Sequence, residues 1–229
     1  MSALSFEINA FGEATWLARL HGRDMIATAL AANLIADRLR PSYGVTDCVA
    51  GVDSVVLRFD PSGLAPQTAR AMLEDAVKET PLTAATPETK IEIPVCYGGE
   101  YGPDLAALAQ KLSLSEAGLI ERHAAQKYRV LTIGFAPGFA YLGPLPESLQ
   151  TSRLASPRTH VPAGSVGVAG AMTGVYPLAS PGGWPLIGRT PKKLFNAKAD
   201  APFIFTPGAE VSFTPVSEDA FARMQDEAA

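Results

Sequence analysis

The sequence is short of long apolar runs, of positive charge and of cysteine. Its longest mostly apolar run, MIATALAANLIA, falls below the roughly 20 residues that a membrane-spanning helix needs, so we expect no membrane association. A net charge of −4 argues against nucleic-acid binding, which favours a basic excess. The amino-terminal stretch MSALSFEINA lacks the basic and apolar regions of a secretory signal, and we therefore expect a cytoplasmic protein.

Cysteine and histidine are both scarce, which bears on redox and metal chemistry. Cys48 and Cys96 form no C-x-x-C pair and are too few for a disulfide framework, so we expect both to be small buried hydrophobes. The three histidines, His21, His123 and His160, form no Cys/His cluster along the chain, and we expect no tightly bound metal. The sequence also contains no P-loop, no dinucleotide fingerprint and no G-x-S-x-G nucleophile elbow.

Alternating strand and helix patterns predict a small α+β domain in the first third of the chain. The predicted order is β-β-α-β-β-α, with helices over residues 24–40 and 66–79. This order favours two helices packed on one face of an antiparallel sheet. The Thr- and Pro-rich stretch at residues 79–90 is a predicted linker, and it divides the chain into domains of residues 1–86 and 87–229.

The second domain is predicted to be a closed or nearly closed antiparallel β-structure. The strands IEIPVCY and RVLTIGF flank two short helices, the second of which is predicted to begin at Ser113 with Glu116 in capping-box spacing. Its face carries Leu119 and His123, so His123 is expected to be a satisfied core or interface histidine. Short β segments follow, namely SVGVAG, GVYPL, PFIFT and EVSFT, and Ser217 is predicted to cap a final helix.

Glycine, proline and positive charge concentrate between Gly134 and Lys193. This window holds 10 of the 20 glycines and 9 of the 19 prolines, and its only acidic residue is Glu147. Its cationic residues are Arg153, Arg158, Arg189, Lys192 and Lys193. Open backbone N–H groups together with guanidinium groups favour a site for a carboxylate or a phosphate. The alternative is a turn-rich barrel that carries solvated surface charges.

Individual side chains of this window are candidates for chemistry. Arg158 and Arg189 are candidate anion clamps. His160 is a candidate general acid/base or anion donor, and the alternative is an ordinary turn histidine. Tyr141 and Trp184 are candidate pocket walls, although Trp184 would equally suit a plug at the barrel end. The window has no carboxylate pair, so we expect a strong base or a metal to come from another protein.

Four segments resemble a known family. They are PVCYGGEYGPDL, GFAPGFAYLGPLP, SPRTHVPAGSVGVAG and TGVYPLASPGGWPLIGRTP, in this order. They resemble the allophanate hydrolase subunit 1, or carboxyltransferase, family, whose members include the B subunit of 5-oxoprolinase and the sporulation kinase inhibitor KipI. The resemblance covers nearly the whole chain. It implies an α+β protein in which a small N-terminal α+β domain precedes a cyclophilin-like β-barrel domain.

The resemblance also implies an enzyme that works as a complex. A 5-oxoprolinase of this kind opens 5-oxo-L-proline to L-glutamate with Mg-ATP as co-substrate. The implied partners are the C subunit, which is a second cyclophilin-like protein, and the A subunit, and the B subunit is expected to be inactive alone. Two alternatives remain within the family: an inhibitor of a histidine kinase, as KipI is, or a component of a biotin-dependent carboxyltransferase or urea amidolyase.

The family motifs imply roles for particular residues. Arg158, His160 and Arg189 are the expected catalytic residues. The other motif positions are expected to bind the anionic substrate, and they are Gly138, Tyr141, Gly164, Ser165, Ser180, Gly182, Gly183 and Trp184. Met172 stands where many relatives have Gln, and a thioether offers none of the hydrogen bonds of an amide. We predict that the cations and open amides converge on one cavity that receives an anion.

Overall fold

The computed structural model describes residues 4–81 and 88–227. The chain forms two compact units, Met1–Thr86 and Pro87–Ala229. The predicted linker at residues 79–90 lies largely outside the described residues, although Glu79 still belongs to a helix and Lys90 opens a strand. None of the helices in the described part of the chain has the length and apolar character that a bilayer span requires.

The first unit is a four-stranded antiparallel sheet with two helices, as counted over its described residues. The strands are β1 (Ser5–Ala10), β2 (Thr15–His21), β3 (Val45–Ala50) and β4 (Ser54–Phe59), in the order β1-β2-β4-β3. The helices are α1 (Met25–Leu39) and α2 (Pro66–Glu79). Ile35 of α1 and Leu73 of α2 share one buried core with Leu57 of β4. The predicted element order and both helices are therefore confirmed.

Side-chain and backbone chemistry set where these helices begin. The Asp24 carboxylate accepts hydrogen bonds from the backbone N–H groups of Ile26 (2.8 Å) and Ala27 (3.1 Å). These contacts satisfy amide donors that the first turn of a helix leaves unpaired. Helix α2 begins with Pro66, whose missing N–H costs nothing at a first helical position.

The second unit contains a closed barrel, whose seven strands are counted over the described residues and follow the order β10-β7-β6-β13-β5-β12-β9. In chain order the strands of this unit are β5 (Lys90–Tyr97), β6 (Tyr128–Ile133), β7 (Ala140–Gly143), β8 (Arg158–Val161), β9 (Ser165–Ala169), β10 (Met172–Val175), β11 (Ser180–Gly182), β12 (Leu186–Arg189) and β13 (Glu210–Pro215). Strands β8 and β11 pair with each other outside the barrel. The predicted β-barrel is thus confirmed.

Three α-helices accompany the barrel within the described range of the second unit, besides a short 3-10 helix at Glu147–Leu149. They are α3 (Leu105–Lys111), α4 (Glu116–Ala125) and α5 (Glu218–Glu227). The predicted cap at Ser113 is wrong, because Ser113 adopts a left-handed backbone (φ 57°) after α3. Ser115 caps α4 instead, and its Oγ accepts from the N–H of Gly118 at 3.0 Å. Ser217 Oγ accepts from the N–H of Ala220 at 3.3 Å, as expected of a cap on α5.

Two further strand predictions fail in the barrel. Strand β13 runs parallel to β5, so the barrel is not wholly antiparallel. The two strands are distant in sequence, and a long connection allows either direction of pairing. The predicted strand at residues 202–206 forms only an isolated bridge between Phe195 and Phe203. Pro202 lacks a donor for a ladder, and the ring of Phe203 stacks on that of Phe195.

Both cysteines are free and buried, which confirms their expected role as small hydrophobes. Burial raises the pKa of the Cys48 thiol to about 12 and also raises the pKa of Cys96. The thiolate, which is the reactive form, is therefore suppressed at both positions at neutral pH.

A buried histidine joins the walls of the barrel through directed hydrogen bonds. His123 of α4 is fully buried, which confirms it as a satisfied core residue. Thr173 Oγ1 donates to the carbonyl of Gly167 (3.0 Å), so it accepts from His123 Nε2 (3.0 Å). The Tyr97 hydroxyl then donates to His123 Nδ1 at 2.8 Å. In this arrangement Nε2 carries the ring proton and Nδ1 is the acceptor, which describes one neutral tautomer of His123.

Acidification should destabilise the protein through His123. Burial lowers the pKa of His123 from 6.5 to about 3. Below pH 6.5 the unfolded state binds a proton that the folded state excludes, so stability is lost as the pH falls towards the folded pKa. The free energy of unfolding should drop by up to about 1.4 kcal/mol per pH unit in this window. Urea unfolding at a series of pH values measures the slope.

A matched pair of variants tests whether His123 causes the loss of stability at low pH. The exposed His160 serves as the control, because His160→Gln removes a histidine without touching the buried network. His123→Gln should flatten the dependence on pH between about 5 and 7, while His160→Gln should leave it as in the wild type. An unchanged slope in His123→Gln would assign the acid sensitivity to other groups.

Candidate functional site

A glycine-rich loop at residues 98–104 packs tightly against strand β12. Gly98 N–H donates to the carbonyl of Ile187 (3.1 Å), and Asp104 N–H donates to that of Leu186 (3.0 Å). In return the Asp104 carboxylate accepts from Leu186 N–H at 2.6 Å. Gly102 must lack a side chain here, because a Cβ would lie 2.1 Å from the Ile187 carbonyl oxygen. The loop is therefore fixed to β12 by both backbone and side-chain contacts.

This loop contacts two arginines of the cationic segment at residues 134–193 in different ways. Asp104 forms an ion pair with Arg158, whose Nη2 lies 2.7 Å from the carboxylate. The ring of Tyr101 lies under the guanidinium of Arg189, at 5.5 Å from the ring centroid. Among the described residues Arg189 forms no ion pair with a carboxylate, and its buried Nε has no hydrogen-bond partner. The charge of Arg158 is compensated, whereas that of Arg189 is not.

Five aromatic side chains meet where the glycine-rich segments converge. This aromatic cluster consists of Phe135, Phe139, Tyr141, Tyr176 and Trp184. The Phe139 ring centroid lies 5.0 Å from that of Tyr141, 5.1 Å from that of Tyr176 and 5.7 Å from that of Trp184. The rings meet edge to face, which is a favourable geometry for aromatic pairs. A Cβ on Gly182 would lie 2.5 Å from the Tyr176 hydroxyl, so this glycine allows the ring to approach.

Polar groups border the aromatic cluster. Burial raises the pKa values of Tyr141 and Tyr176, and the positive charge of Arg153 partly offsets the rise at both. Both hydroxyls therefore stay protonated at neutral pH and can donate hydrogen bonds. Arg153 also lines a cavity of about 360 Å³ together with Asp104 and Lys111. The lining combines the cations Lys111 and Arg153 with apolar side chains such as Leu154, an arrangement suited to a ligand with an anionic group.

A second, larger cavity lies beside the end of β12. This cationic cavity has a volume of about 580 Å³, and its walls include Gly164, Leu178, Arg189, Lys192, Lys193 and Phe195. The described residues that line it include three cations and no carboxylate. Gly164 lies against β12, and a Cβ there would be 2.3 Å from the Thr190 carbonyl oxygen. The cavity is a candidate site for an anion.

The predicted site residues fall into two groups rather than one. Gly164 and Arg189 line the cationic cavity, Ser165 pairs with Arg189 across β9 and β12, and Gly138 packs beside Phe195. The second group surrounds the aromatic cluster and comprises Tyr141, Arg158, Ser180, Gly182, Gly183 and Trp184. Arg158 and His160 lie outside the lining of the cationic cavity. The expectation of a single shared cavity is therefore wrong.

The remaining predicted residues have definite environments. His160 is exposed on β8. Ser165 Oγ and Ser180 Oγ are buried without hydrogen-bond partners among the described residues, so each retains a free donor. Trp184 is buried in the aromatic cluster. Met172 packs against the same cluster as an apolar side chain, in place of an amide.

The residues that hold the two arginines were not predicted from the sequence. Tyr101 and Asp104 lie in the motif PVCYGGEYGPDL, yet nothing in their spacing connected them with Arg158 or Arg189. Tyr176 was also missed, although it follows the glycine-containing strand β10. The cations Arg153, Lys192 and Lys193 were noted for their charge alone, and charge was the signal that could have marked them as site residues.

Comparison with known proteins places the chain in a family. A match to the carboxyltransferase domain, subdomain C and D, spans residues 6–205. The chain belongs to this family. Strands β5 to β12 and the segments that form the aromatic cluster all lie inside the matched range.

Curated relatives match over most of their length. The B subunit of 5-oxoprolinase from Escherichia coli O157:H7 is 46% identical over 80% of this chain and 84% of its own length. A protein with the same name from Bacillus subtilis is 36% identical over 82% of both chains. Both relatives are thus similar in sequence and in extent.

Solved structures support the same fold. The solved protein TTHA0988 is 33% identical with a TM-score of 0.72, and the match covers 93% of this chain but only 40% of that protein. The urea amidolyase of K. lactis is 19% identical with a TM-score of 0.80, and the match covers 97% of this chain and 15% of that protein. At this low identity the second likeness concerns the fold alone.

The ion pair between Asp104 and Arg158 should stabilise the protein measurably. Both side chains are largely buried, with 18% and 30% of their surfaces exposed. A double-mutant cycle of Asp104→Ala and Arg158→Ala should give a coupling energy of about 1–3 kcal/mol in urea unfolding, since a charge-assisted pair is lost.

A surface pair provides the comparison. Arg19 and Asp53 lie 3.5 Å apart and are each more than half exposed. The cycle of Arg19→Ala and Asp53→Ala should give a coupling of roughly 0.2–1 kcal/mol, because solvent screens the charges. Equal coupling in the two cycles would contradict a structural role for Asp104.

Proposed function

We propose that this chain is the B subunit of an ATP-dependent 5-oxoprolinase, which opens 5-oxo-L-proline to L-glutamate together with partner proteins. The observation that carries the proposal is the 46% identity to a relative of that name, over 80% of this chain and 84% of the relative. The proposal is further supported by two sites suited to anions, since the lactam substrate and ATP are both negatively charged.

The competing role in a urea amidolyase has weaker support. Identity to the urea amidolyase of K. lactis is 19%, which reflects a shared fold. The chain contains no Met-Lys-Met segment to accept biotin, so a carboxyltransferase role would require biotin from another protein. The similarity to the curated 5-oxoprolinase relatives over most of their length favours the oxoprolinase role.

In this proposal Arg189 is the principal anion-binding residue. Its guanidinium is held on Tyr101 and lacks a carboxylate partner among the described residues, so it is free to compensate a substrate charge. Arg158 instead acts as a positioning residue, because Asp104 already neutralises it and connects it to β12. His160 is exposed, so its imidazole can reach a substrate or a partner protein.

The aromatic cluster is the proposed site of the lactam. Tyr141 is a partly exposed member of the cluster and offers an apolar wall for the small ring, and its ring centroid lies 5.9 Å from that of the buried Trp184. Protonated tyrosine hydroxyls can donate to the lactam carbonyl, and Arg153 can bind the carboxylate. Hydrogen-bond donors aimed at that carbonyl oxygen would stabilise the negative charge that develops during ring opening.

The overall reaction requires groups from other proteins of the complex. Ring opening adds one water across the lactam amide, and ATP hydrolysis consumes a second, so the products are glutamate, ADP and phosphate. The described lining of the two cavities contains one carboxylate, Asp104, and its oxygens are already engaged. We assign activation of water to the partner A and C subunits. The TTHA0988 chain, which is much longer than the region it shares with this protein, is consistent with additional domains working beside it.

Reconstitution tests the proposal directly. The purified chain should release no glutamate from 5-oxoproline and ATP, whereas a stoichiometric mixture with the A and C subunits should release it. Glutamate is measured by a coupled dehydrogenase assay. A well-assembled mixture that forms no glutamate would reject the oxoprolinase function.

Arg189→Ala tests the role of the anion-binding residue in the assembled complex. Turnover should fall at least about tenfold, which corresponds to about 1.4 kcal/mol and lies near the low end for loss of a charge-assisted bond. Lys198→Ala is the control, because Lys198 is an exposed cation outside the lining of both cavities. Normal turnover in Arg189→Ala with intact assembly would remove Arg189 from the mechanism.

A further inference from the structure

The cationic cavity gathers three cations in a lining that includes no carboxylate among the described residues. Other cations of this unit do meet carboxylates, as Arg158 does with Asp104 and Lys127 does with Glu210 at 3.4 Å. Arg189 and Lys193 form no such pair among the described residues, although both line the cavity. Positive charge is therefore concentrated here without internal compensation.

The hydrogen-bonding capacity of the cavity is also unfilled. Arg189 Nε is buried and has no acceptor among the described residues, which is unfavourable unless an acceptor is supplied. Lys192 donates to the backbone carbonyl of Glu92 at 3.0 Å, and an ammonium has two further protons to donate. Glu227 lines an adjacent hollow with Lys192 and Lys193, but within the described part of the chain it forms no ion pair with either lysine.

Part of the lining of the cavity is apolar. Leu178 is 40% exposed and lines the cavity beside Phe195. The ring of Phe195 is held in place by stacking on Phe203, with ring centroids 5.2 Å apart. A volume of about 580 Å³ is in the range of sites for small organic ligands.

From these features we propose that the cationic cavity binds the phosphate chain of a phosphorylated organic ligand. A single carboxylate would neutralise one of the three cations, whereas a diphosphate or triphosphate carries enough charge and acceptor oxygens for all of them. Arg189 supplies a rigid planar donor and the two lysines supply point charges, a combination suited to phosphate oxygens. The apolar wall at Leu178 and Phe195 accepts the organic part of the ligand.

This inference deepens the proposed function and rests on it, because Arg189 is the anion-binding residue in both. It assigns a different ligand to each site: the phosphorylated substrate binds in the cationic cavity, and the lactam binds at the aromatic cluster. Tyr101 and Asp104 belong to one loop and hold one arginine in each site, so the two ligands would be bound to a common rigid element.

Calorimetric titration of the full chain with inorganic pyrophosphate tests the site without partner proteins or turnover. We expect saturable binding that weakens about tenfold in each of Arg189→Gln and Lys193→Gln, since each loses one charge-assisted contact. Lys198→Gln, an exposed control outside the cavity, should bind as the wild type does. The monocarboxylate acetate should not displace pyrophosphate.

Titration with ADP then tests whether the apolar wall at Leu178 and Phe195 binds the organic part of the ligand. Leu178→Ala should weaken ADP binding and leave pyrophosphate binding unchanged, because Leu178 contacts only the organic part. Any of three results would overturn the proposed site. These are an equal loss of pyrophosphate affinity in Lys198→Gln and Lys193→Gln, an unchanged affinity in Arg189→Gln, or the absence of any pyrophosphate binding. Failure of this titration beside normal glutamate release by the complex would reject the phosphate site and leave the proposed function standing.

Discussion

The carboxylate of Asp104 connects the parts on which the candidate sites depend. One oxygen accepts the N–H of Leu186 at the start of β12, and the other pairs with Arg158 on β8. A barrel strand, the strand pair outside the barrel and the glycine-rich loop are thereby fixed to each other. Because the loop also carries Tyr101 beneath Arg189, the position of the second arginine depends on the same anchor.

Two arginines that look equivalent in the sequence have different roles in the fold. Arg158 is neutralised by a partner 54 residues away, and its guanidinium serves the architecture. Arg189 lies on an aromatic face and keeps its charge available. Local positive charge in the sequence did not distinguish the two, because only the contacts show which cation lacks a carboxylate partner among the described residues.

Local chemistry determined how much of the fold could be predicted. The helices predicted over residues 24–40 and 66–79 depend on neighbouring residues, and the structure confirms both. The parallel pairing of β13 with β5 depends on residues far apart in sequence, and it was missed. The choice of Ser115 over Ser113 followed from how the preceding helix ends, which spacing alone does not encode. The site residues follow the same rule. Tyr101 and Asp104 contact arginines that are distant in sequence, so their roles could not be predicted from local patterns.

The parallel placement of β13 has a consequence for how the protein is made. Phe213 pairs with Ile93, a residue synthesised more than a hundred positions earlier. Until β13 emerges from the ribosome, β5 and β6 each present an open edge that could pair with another nascent chain. The barrel can therefore close only after β13 has been synthesised, whereas a fold closed by neighbouring hairpins covers its strand edges as each hairpin forms.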